Sequence, residues 1–341
     1  MAEEGDDTRS AQKPSLPLPT RLQSTIEAHK GPVHIAQFNT SGKYFLTGGT
    51  DRQIHLFNAT STTEDIKPIK TYSAHSGTIL GISIAKDNAS FVSGGQDRNV
   101  LVWDVATGSI IRRFSAHTGS IHSVNHCGAS SQQTQPAPED VVLTAGEDGF
   151  VRFFDLRARG AWKPIMECKN AKDTILTTAA YQSCIWTGSV DGVVRKYDIR
   201  AGKLQEDTID RPITSITPTK NGSSLLVSVL ASSTQSQTAS HIITDVGDGS
   251  HLQTVQGGPN IQYRCKSSFW ANDSTIIAGD ETGKIAAWDV LEGSEYFKDA
   301  QLPSWEKAHS KAVLWTECTA QDGGRMITTS ADGTVKIWSC N

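Results

Sequence analysis

Three residue types recur together along this 341-residue chain at spacings that could support proton transfer. An aspartate stands six residues before an aromatic at Asp51, Asp97, Asp148, Asp191 and Asp332, and a hydroxyl side chain stands four residues before each, at Thr47, Ser93, Thr144, Thr187 and Thr328. Histidines precede four of these sets, at His29, His75, His117 and His309. A histidine held between a hydroxyl and a carboxylate is the arrangement of nucleophilic acyl transfer, in which the imidazole takes the hydroxyl proton and the carboxylate orients the ring. A catalytic set is a single constellation over one substrate site, whereas this trio returns unit after unit. Repetition gives it a structural role, since a buried hydrogen-bond chain in which every member has a partner fixes how a sheet packs.

The elements that position these residues follow the same repeat. Aromatics followed by Asp, Asn or Ser occur at Phe57-Asn58, Trp103-Asp104, Phe154-Asp155, Tyr197-Asp198, Trp288-Asp289 and Trp338-Ser339, at intervals of 46, 51, 43, 91 and 50 residues. The long interval hides a degenerate unit, His241-Ile-Ile-Thr-Asp245, with Thr244 where the aromatic belongs, so the units number seven. In the second unit, Ile79, Ile82 and Ile84 mark one strand, Phe91-Val92-Ser93 the next, Val100 to Trp103 the third and Ile110 to Phe114 the fourth. Turn residues separate these short β-branched and aromatic runs, and no segment sustains a helical period. The chain reads as all-β.

These residues resemble the WD-repeat family, whose blade is a four-stranded antiparallel sheet ending in Trp-Asp. The resemblance covers roughly residues 21 to 339, with Ala in place of Gly in the Gly-His pair and Phe or Tyr often in place of Trp. It implies a seven-bladed β-propeller over residues 21–341, preceded by an unstructured, Pro- and Ser-rich tail over residues 1–20. His75, Ser93, Asp97 and Trp103 resemble the tetrad of a complete blade, and His309, Thr328, Asp332 and Trp338 form a second such set. Phe57 and Phe154 lack the indole donor, so their blades are expected to be pinned less firmly. Arg21 to Ala28 is expected to close the ring as the outer strand of the last blade, removing an exposed sheet edge. Gly128 to Glu139 is expected to be a surface loop, and Ser232 to Thr238 an enlarged turn in the least regular blade, the fifth.

Bulk properties narrow the function. A net charge of −4 gives no general attraction to phosphate backbones or anionic membranes, so neither nucleic acid nor membrane is an expected partner. No apolar run approaches a membrane span and no signal segment opens the chain, which predicts an intracellular protein. The six cysteines lie far apart without metal-ligand spacing and are expected to be reduced. The glycine pairs Gly48-Gly49 and Gly94-Gly95 lead into neither a Gly-Lys-Ser/Thr loop nor a helix that could hold phosphate. The expectation is a non-catalytic protein without cofactor or metal, a monomeric propeller within a larger complex.

Strand direction points to one face for partner binding. Thr50, Gln96, Glu147, Val190, Glu281 and Ala331 flank the turns of that face, and His34, Leu80, His122, Leu176, Arg264 and Leu314 are expected beside them on the inner strands. His34 and His122 would make the contact weakly pH-dependent. The fourth-unit run Gly188-Ser-Val-Asp-Gly-Val-Val-Arg-Lys-Tyr-Asp-Ile-Arg-Ala-Gly-Lys-Leu204 with Arg211-Pro-Ile-Thr214, together with Val102-Trp-Asp-Val-Ala-Thr-Gly108, is similar to the mitogen-activated protein kinase organiser family. That similarity implies a nuclear and cytoplasmic scaffold for kinase-cascade components or for the splicing machinery. An alternative rests on Asp155-Leu-Arg157 and Asp198-Ile-Arg200, which resemble the boxes by which substrate receptors dock on the adaptor of a cullin-type ubiquitin ligase.

Overall fold

The β-branched and aromatic runs form strands, and the Gly-, Asp- and Asn-bearing segments between them form the turns. The computed structural model describes residues 17–61, 66–127, 140–158, 162–231, 238–270, 272–297 and 303–340. Seven antiparallel sheets follow one another along the chain and make a seven-bladed propeller. Their innermost strands are Val33–Phe38, Ile79–Ile84, Ile121–His126, Ile175–Tyr181, Ile213–Pro218, Ser268–Trp270 and Val313–Thr319. The second blade continues through Ser90–Gly95, Val100–Asp104 and Ile110–Phe114, as its sequence indicates. The one helical element among the described residues is the turn Pro303–Glu306.

Closure follows the expected route. Arg21–Glu27 pairs antiparallel with Thr334–Ser339, so the last sheet takes its outer strand from the beginning of the chain. Residues assigned to the tail are also part of the body: Leu18 packs against the cluster of Trp270, Trp305 and Trp338, and the Pro17 carbonyl accepts from Trp270 Nε1 at 3.2 Å. The remainder of the expected tail, residues 1–16, lies outside the described residues, as do 128–139 in the third blade and 232–237 in the fifth.

Apolar burial lies between blades. Ile35, Leu46 and Ile54 of the first blade pack with Ile79, Ile82, Phe91 and Trp103 of the second, all buried. At roughly 1.5–3 kcal/mol for each large apolar side chain, such seams hold the ring together. The glycine pairs serve this packing: a Cβ on Gly94 would stand 2.7 Å from Ile121 of the next blade, and one on Gly95 would stand 2.1 Å from the Thr78 carbonyl oxygen.

The irregular blade is the sixth, not the fifth. The fifth is a complete sheet, Ile213–Pro218, Ser224–Val229, Thr238–Asp245 and His251–Pro259, in which Thr244 faces Leu225 as Trp103 faces Phe91. Val227 and Ile242 fill the place of the polar set, so apolar packing replaces hydrogen bonding there. The sixth blade has three strands among the described residues, and its inner strand is only Ser268–Trp270.

Candidate interaction face

Each recurring polar set ties the lead-in of an inner strand to the turn after the second strand. In the second blade, His75 Nδ1 donates to Asp97 at 2.8 Å, Ser93 Oγ meets Nε2 at 2.7 Å, and Trp103 Nε1 donates to Ser93 Oγ at 2.8 Å. Asp97 can only accept, so Nδ1 carries the proton and Nε2 accepts from the Ser93 hydroxyl, whose oxygen in turn accepts from the indole. Burial works against ionisation of Asp97, yet the bonds from His75 and from the amides of Ser76 and Asn99 hold its pKa down at about 2. The Ser93 hydroxyl, engaged on both sides, is not free for attack on a substrate.

The other blades vary the theme. In the seventh, His309 Nε2 meets Thr328 and Trp338 donates to the same hydroxyl at 2.9 Å, but Nδ1 reaches Thr334 Oγ1 at 2.9 Å and stands 3.5 Å from Asp332. Thr334 hands the bond on to Asp332 at 2.7 Å, so this set has five members where four were expected. In the first blade, His29 keeps both bonds, to Asp51 and Thr47 at 2.8 Å each, and His55 lies against its ring at 4.6 Å.

In the third blade Phe154 leaves no indole, and Arg152 compensates. It contacts His117 Nδ1 at 2.8 Å, Asp148 at 2.7 Å and Glu167 at 2.6 Å. The fourth blade has no histidine, and Arg195 alone bridges Asp191 at 2.9 Å and Glu206 at 2.8 Å. The expectation of weaker pinning is corrected for the Phe154 blade, where Arg152 supplies bonds to the set; in the Phe57 blade the set holds only the two His29 bonds, and His55 bonds Thr71 outside it. Arg152 and Arg195 both sit two residues before the aromatic, a spacing that was visible in the sequence and would have found them. His29, Asp51 and His55 bring potential metal-ligand atoms within 4.8 Å of one another. Both nitrogens of His29 are engaged in its set and His55 Nδ1 bonds Thr71, so coordination there would dismantle the blade's polar chain.

These sets place the turns against the starts of the inner strands. The amides of Thr50, Gln96, Glu147, Val190 and Ala331 donate to the carbonyls of Pro32, Thr78, Ser120, Thr174 and Ala312, just before each inner strand. Six inner strands carry a register shift at one residue: His34, Leu80, His122, Leu176, Thr214 and Leu314. A bulge bends the strand and re-aims the extra residue. Thus nearly all the nominated residues lie on one rim around the central channel, and His34 Nε2 meets Thr50 Oγ1 at 3.1 Å. Thr214 and the fifth-blade turn residue Leu230, whose amide donates to Pro212, complete the pattern. The missing turn Asp concealed both in the sequence.

Four nominated residues behave differently from expectation. Leu80 and Leu314 are buried, at 8% and 3% exposed, so they offer a partner no side chain. What they present is a carbonyl: Leu80 O faces Arg264, and Leu314 O accepts from the Lys266 amide at 3.0 Å. Arg264 is on no strand; it belongs to the irregular lead-in of the sixth blade, and its Nη1 crosses to the His122 carbonyl at 2.7 Å and the Leu80 carbonyl at 3.4 Å. Glu281 is the anchor of that lead-in, since one of its carboxylate oxygens accepts from the amides of Ile261, Gln262 and Tyr263 at 2.7, 2.6 and 3.3 Å.

Arg264 roofs a central cavity of about 200 Å³ whose wall comes from all seven blades. Burial, and then the Arg264 charge, press the pKa values of His34 and His122 down to about 4. Both rings are neutral near pH 7, which corrects the expected pH dependence: their titration falls well below the neutral range. At the other nominated position, Arg157 folds onto its own Asp155, with Nη2 to the carboxylate at 2.9 Å. Arg200 is exposed and makes no ion pair among the described residues.

The WD domain, G-beta repeat model matches residues 20–58, 66–104, 108–155 and 302–339. The chain is 32% identical to WD repeat domain-containing protein 83 of Rattus norvegicus over 83% of either chain. It is 26% identical to a WD repeat domain-containing protein 83 homolog of Dictyostelium discoideum over 92% of this chain and 96% of that protein. A third relative, the U5 small nuclear ribonucleoprotein 40 kDa protein of Dictyostelium discoideum, is 29% identical over 53% of this chain and 46% of its own. With seven closed blades, their recurring polar sets and these similarities, the chain belongs to the WD-repeat family.

Proposed function

We propose that this propeller is a non-catalytic scaffold whose rim, from Thr50 and Gln96 round to Ala331, binds protein partners within a larger assembly. The observation that carries the reading is the use made of the reactive-looking side chains. Every histidine–hydroxyl–carboxylate set is consumed in holding turns against bulged strands, and the result is a preformed polar rim. Rigid sheets that present loops at one end suit several simultaneous contacts. Similarity to a U5 ribonucleoprotein component supports partners in pre-mRNA splicing, and the kinase-organiser resemblance supports partners in kinase signalling. Such a scaffold would work in the nucleus and cytoplasm.

The test is affinity purification of the tagged protein with mass spectrometry, beside a Thr50→Ala, Gln96→Ala, Glu147→Ala triple variant. Splicing or kinase-cascade proteins should be recovered with the parent chain and lost with the variant. Ubiquitin-ligase subunits lost on charge reversal of Arg157 and Arg200 would replace this reading with the receptor one. Absence of any stable partner would overturn both.

A further inference from the structure

The charges on the rim are unevenly engaged. Most of its turn carboxylates face inward: Asp51, Asp97 and Asp332 take imidazole, hydroxyl or amide hydrogens, Asp148 and Asp191 hold arginines, and Glu281 gathers three amides, while Glu147 accepts from the Ser120 amide and is exposed. Among the described residues, Arg52, Arg98, Arg264, Lys30 and Lys311 of the same rim make no ion pair. Arg264 is half-buried in the channel mouth, and it bonds two backbone carbonyls but no carboxylate among the described residues. Its Nε is buried without an acceptor. Burial pulls its pKa down to about 10, so the guanidinium keeps its charge at neutral pH without a counter-ion. The guanidinium lies over the Trp315 ring, 5.7 Å from its centroid, and a desolvated charge without a carboxylate beside it is costly and is relieved when an anion arrives.

Backbone strain adds a second, independent observation. Two residues after the rim position of each turn stand Gly149, Gly192, Gly283 and Gly333 in four blades, all at positive φ. In the first and second blades the same position is Arg52 at φ 68° and Arg98 at φ 64°. An L side chain in the left-handed region is strained where glycine is not, and glycine is what the other blades place at this position. Both arginines are exposed, as are Lys30 beside them and Lys311 on the seventh blade. Of the exposed acids, Asp173 and Asp210 lie away from this arc, on the fourth and fifth blades, and Glu147 of the third blade borders it. On the same lead-in as Arg264, Ile261 and Tyr263 are 44% and 42% exposed, apolar side chains held outward by the Glu281 anchor.

We propose that the channel mouth is the receptor for an acidic segment of a partner protein, one Glu or Asp side chain docking on Arg264 with apolar neighbours against Ile261 and Tyr263. Arg52, Arg98, Lys30 and Lys311 steer the rest of the segment. With Nη1 held by the two carbonyls and Nε buried, Nη2 is the group left to donate a charge-assisted bond to an incoming carboxylate. One desolvated arginine between two neutral imidazoles is a seat for a single acid, whereas a nucleic acid strand would need a track of cations along its phosphates. This inference rests on the rim being the docking face and adds the chemistry of what docks.

The experiment is fluorescence anisotropy on the full chain with a labelled, end-capped peptide of alternating glutamate and leucine, against its glutamine and phosphoserine counterparts. The glutamate peptide should bind in a salt-sensitive way and at least about tenfold more tightly than the glutamine one. Arg264→Met should abolish the difference. Because Arg264 is half-buried, Arg52→Gly with Arg98→Gly is the second variant: glycine already occupies that turn position in other blades, so melting should hold while binding weakens severalfold. Equal binding of the glutamate and glutamine peptides, or unchanged binding by Arg264→Met, overturns the proposal, and selective binding of the phosphoserine peptide replaces carboxylate with phosphate. If native partners are lost in the Thr50, Gln96, Glu147 variant while the peptide never binds, the docking face stands and the acidic chemistry falls.

Discussion

His241 gives a quantitative test of how the fifth and sixth blades are joined. Its ring is buried, Nδ1 meets Ser228 Oγ at 2.8 Å, and Ser228 continues to Ser267 of the sixth blade and through it to Ser215. Burial presses the imidazole pKa from 6.5 down to about 4. The folded value lies below the unfolded one, so the contribution to stability is fully present above pH 6.5 and is lost as pH falls toward 4. Between pH 7 and pH 5 the unfolded chain takes up nearly one proton at this site that the folded chain refuses. Linkage converts that difference into about 2 kcal/mol of lost stability. Urea denaturation followed by tryptophan fluorescence at the two pH values measures it, comparing the parent chain with His241→Asn. Asparagine keeps a polar partner for Ser228 and carries no titrating group, so the variant starts less stable but should lose about 2 kcal/mol less on acidification. An identical pH loss in both proteins, or an imidazole resonance titrating above pH 6, refutes this coupling.

Three further outcomes are expected. Ser93→Ala removes the common partner of His75 and Trp103, leaves two buried groups unsatisfied, and should cost about 1–3 kcal/mol in urea unfolding. Arg195→Met strips Asp191 and Glu206 of their shared cation, so stability should fall by about 3 kcal/mol, and the Asp191 carboxyl, held at about 2, should rise toward its ordinary value in a carbon-detected titration. Deleting residues 1–27 uncovers the edge of Thr334–Ser339, and light scattering should show aggregation at temperatures where the full chain stays monodisperse.

Strand positions and the number of blades were legible because each unit repeats the same closely spaced signals, and the closing strand was legible from its place before His29. Thr244 was legible only by subtraction, and the regularity of its blade was not. Apolar pairs such as Val227 with Ile242 pack as well as a polar chain holds, but they leave no distinctive residue behind. Arg152 and Arg195 escaped notice because an arginine in an alternating strand reads as a solvent-facing position, and only the third dimension sets it beside Asp148 or Asp191. Strand direction set the nominated turn residues beside the starts of the inner strands, where their amides are bonded. Leu80 and Leu314 were misjudged, because a bulge turns a carbonyl toward the axis while the side chain stays packed.

The pairing of Arg21 with Ser339 has a consequence for how the protein is made. At roughly 5–20 residues per second, a ribosome needs about 15–60 s to reach the partner of the first strand after that strand has emerged. Throughout this interval the segment has no partner strand to pair with. Its composition suits the wait: Arg21, Gln23, Ser24, Thr25 and Glu27 leave only Leu22 and Ile26 as apolar members, too few to seed association with neighbouring nascent chains. The ring is therefore completed only after its last residues leave the ribosome, and chaperone dependence should be concentrated in that final step.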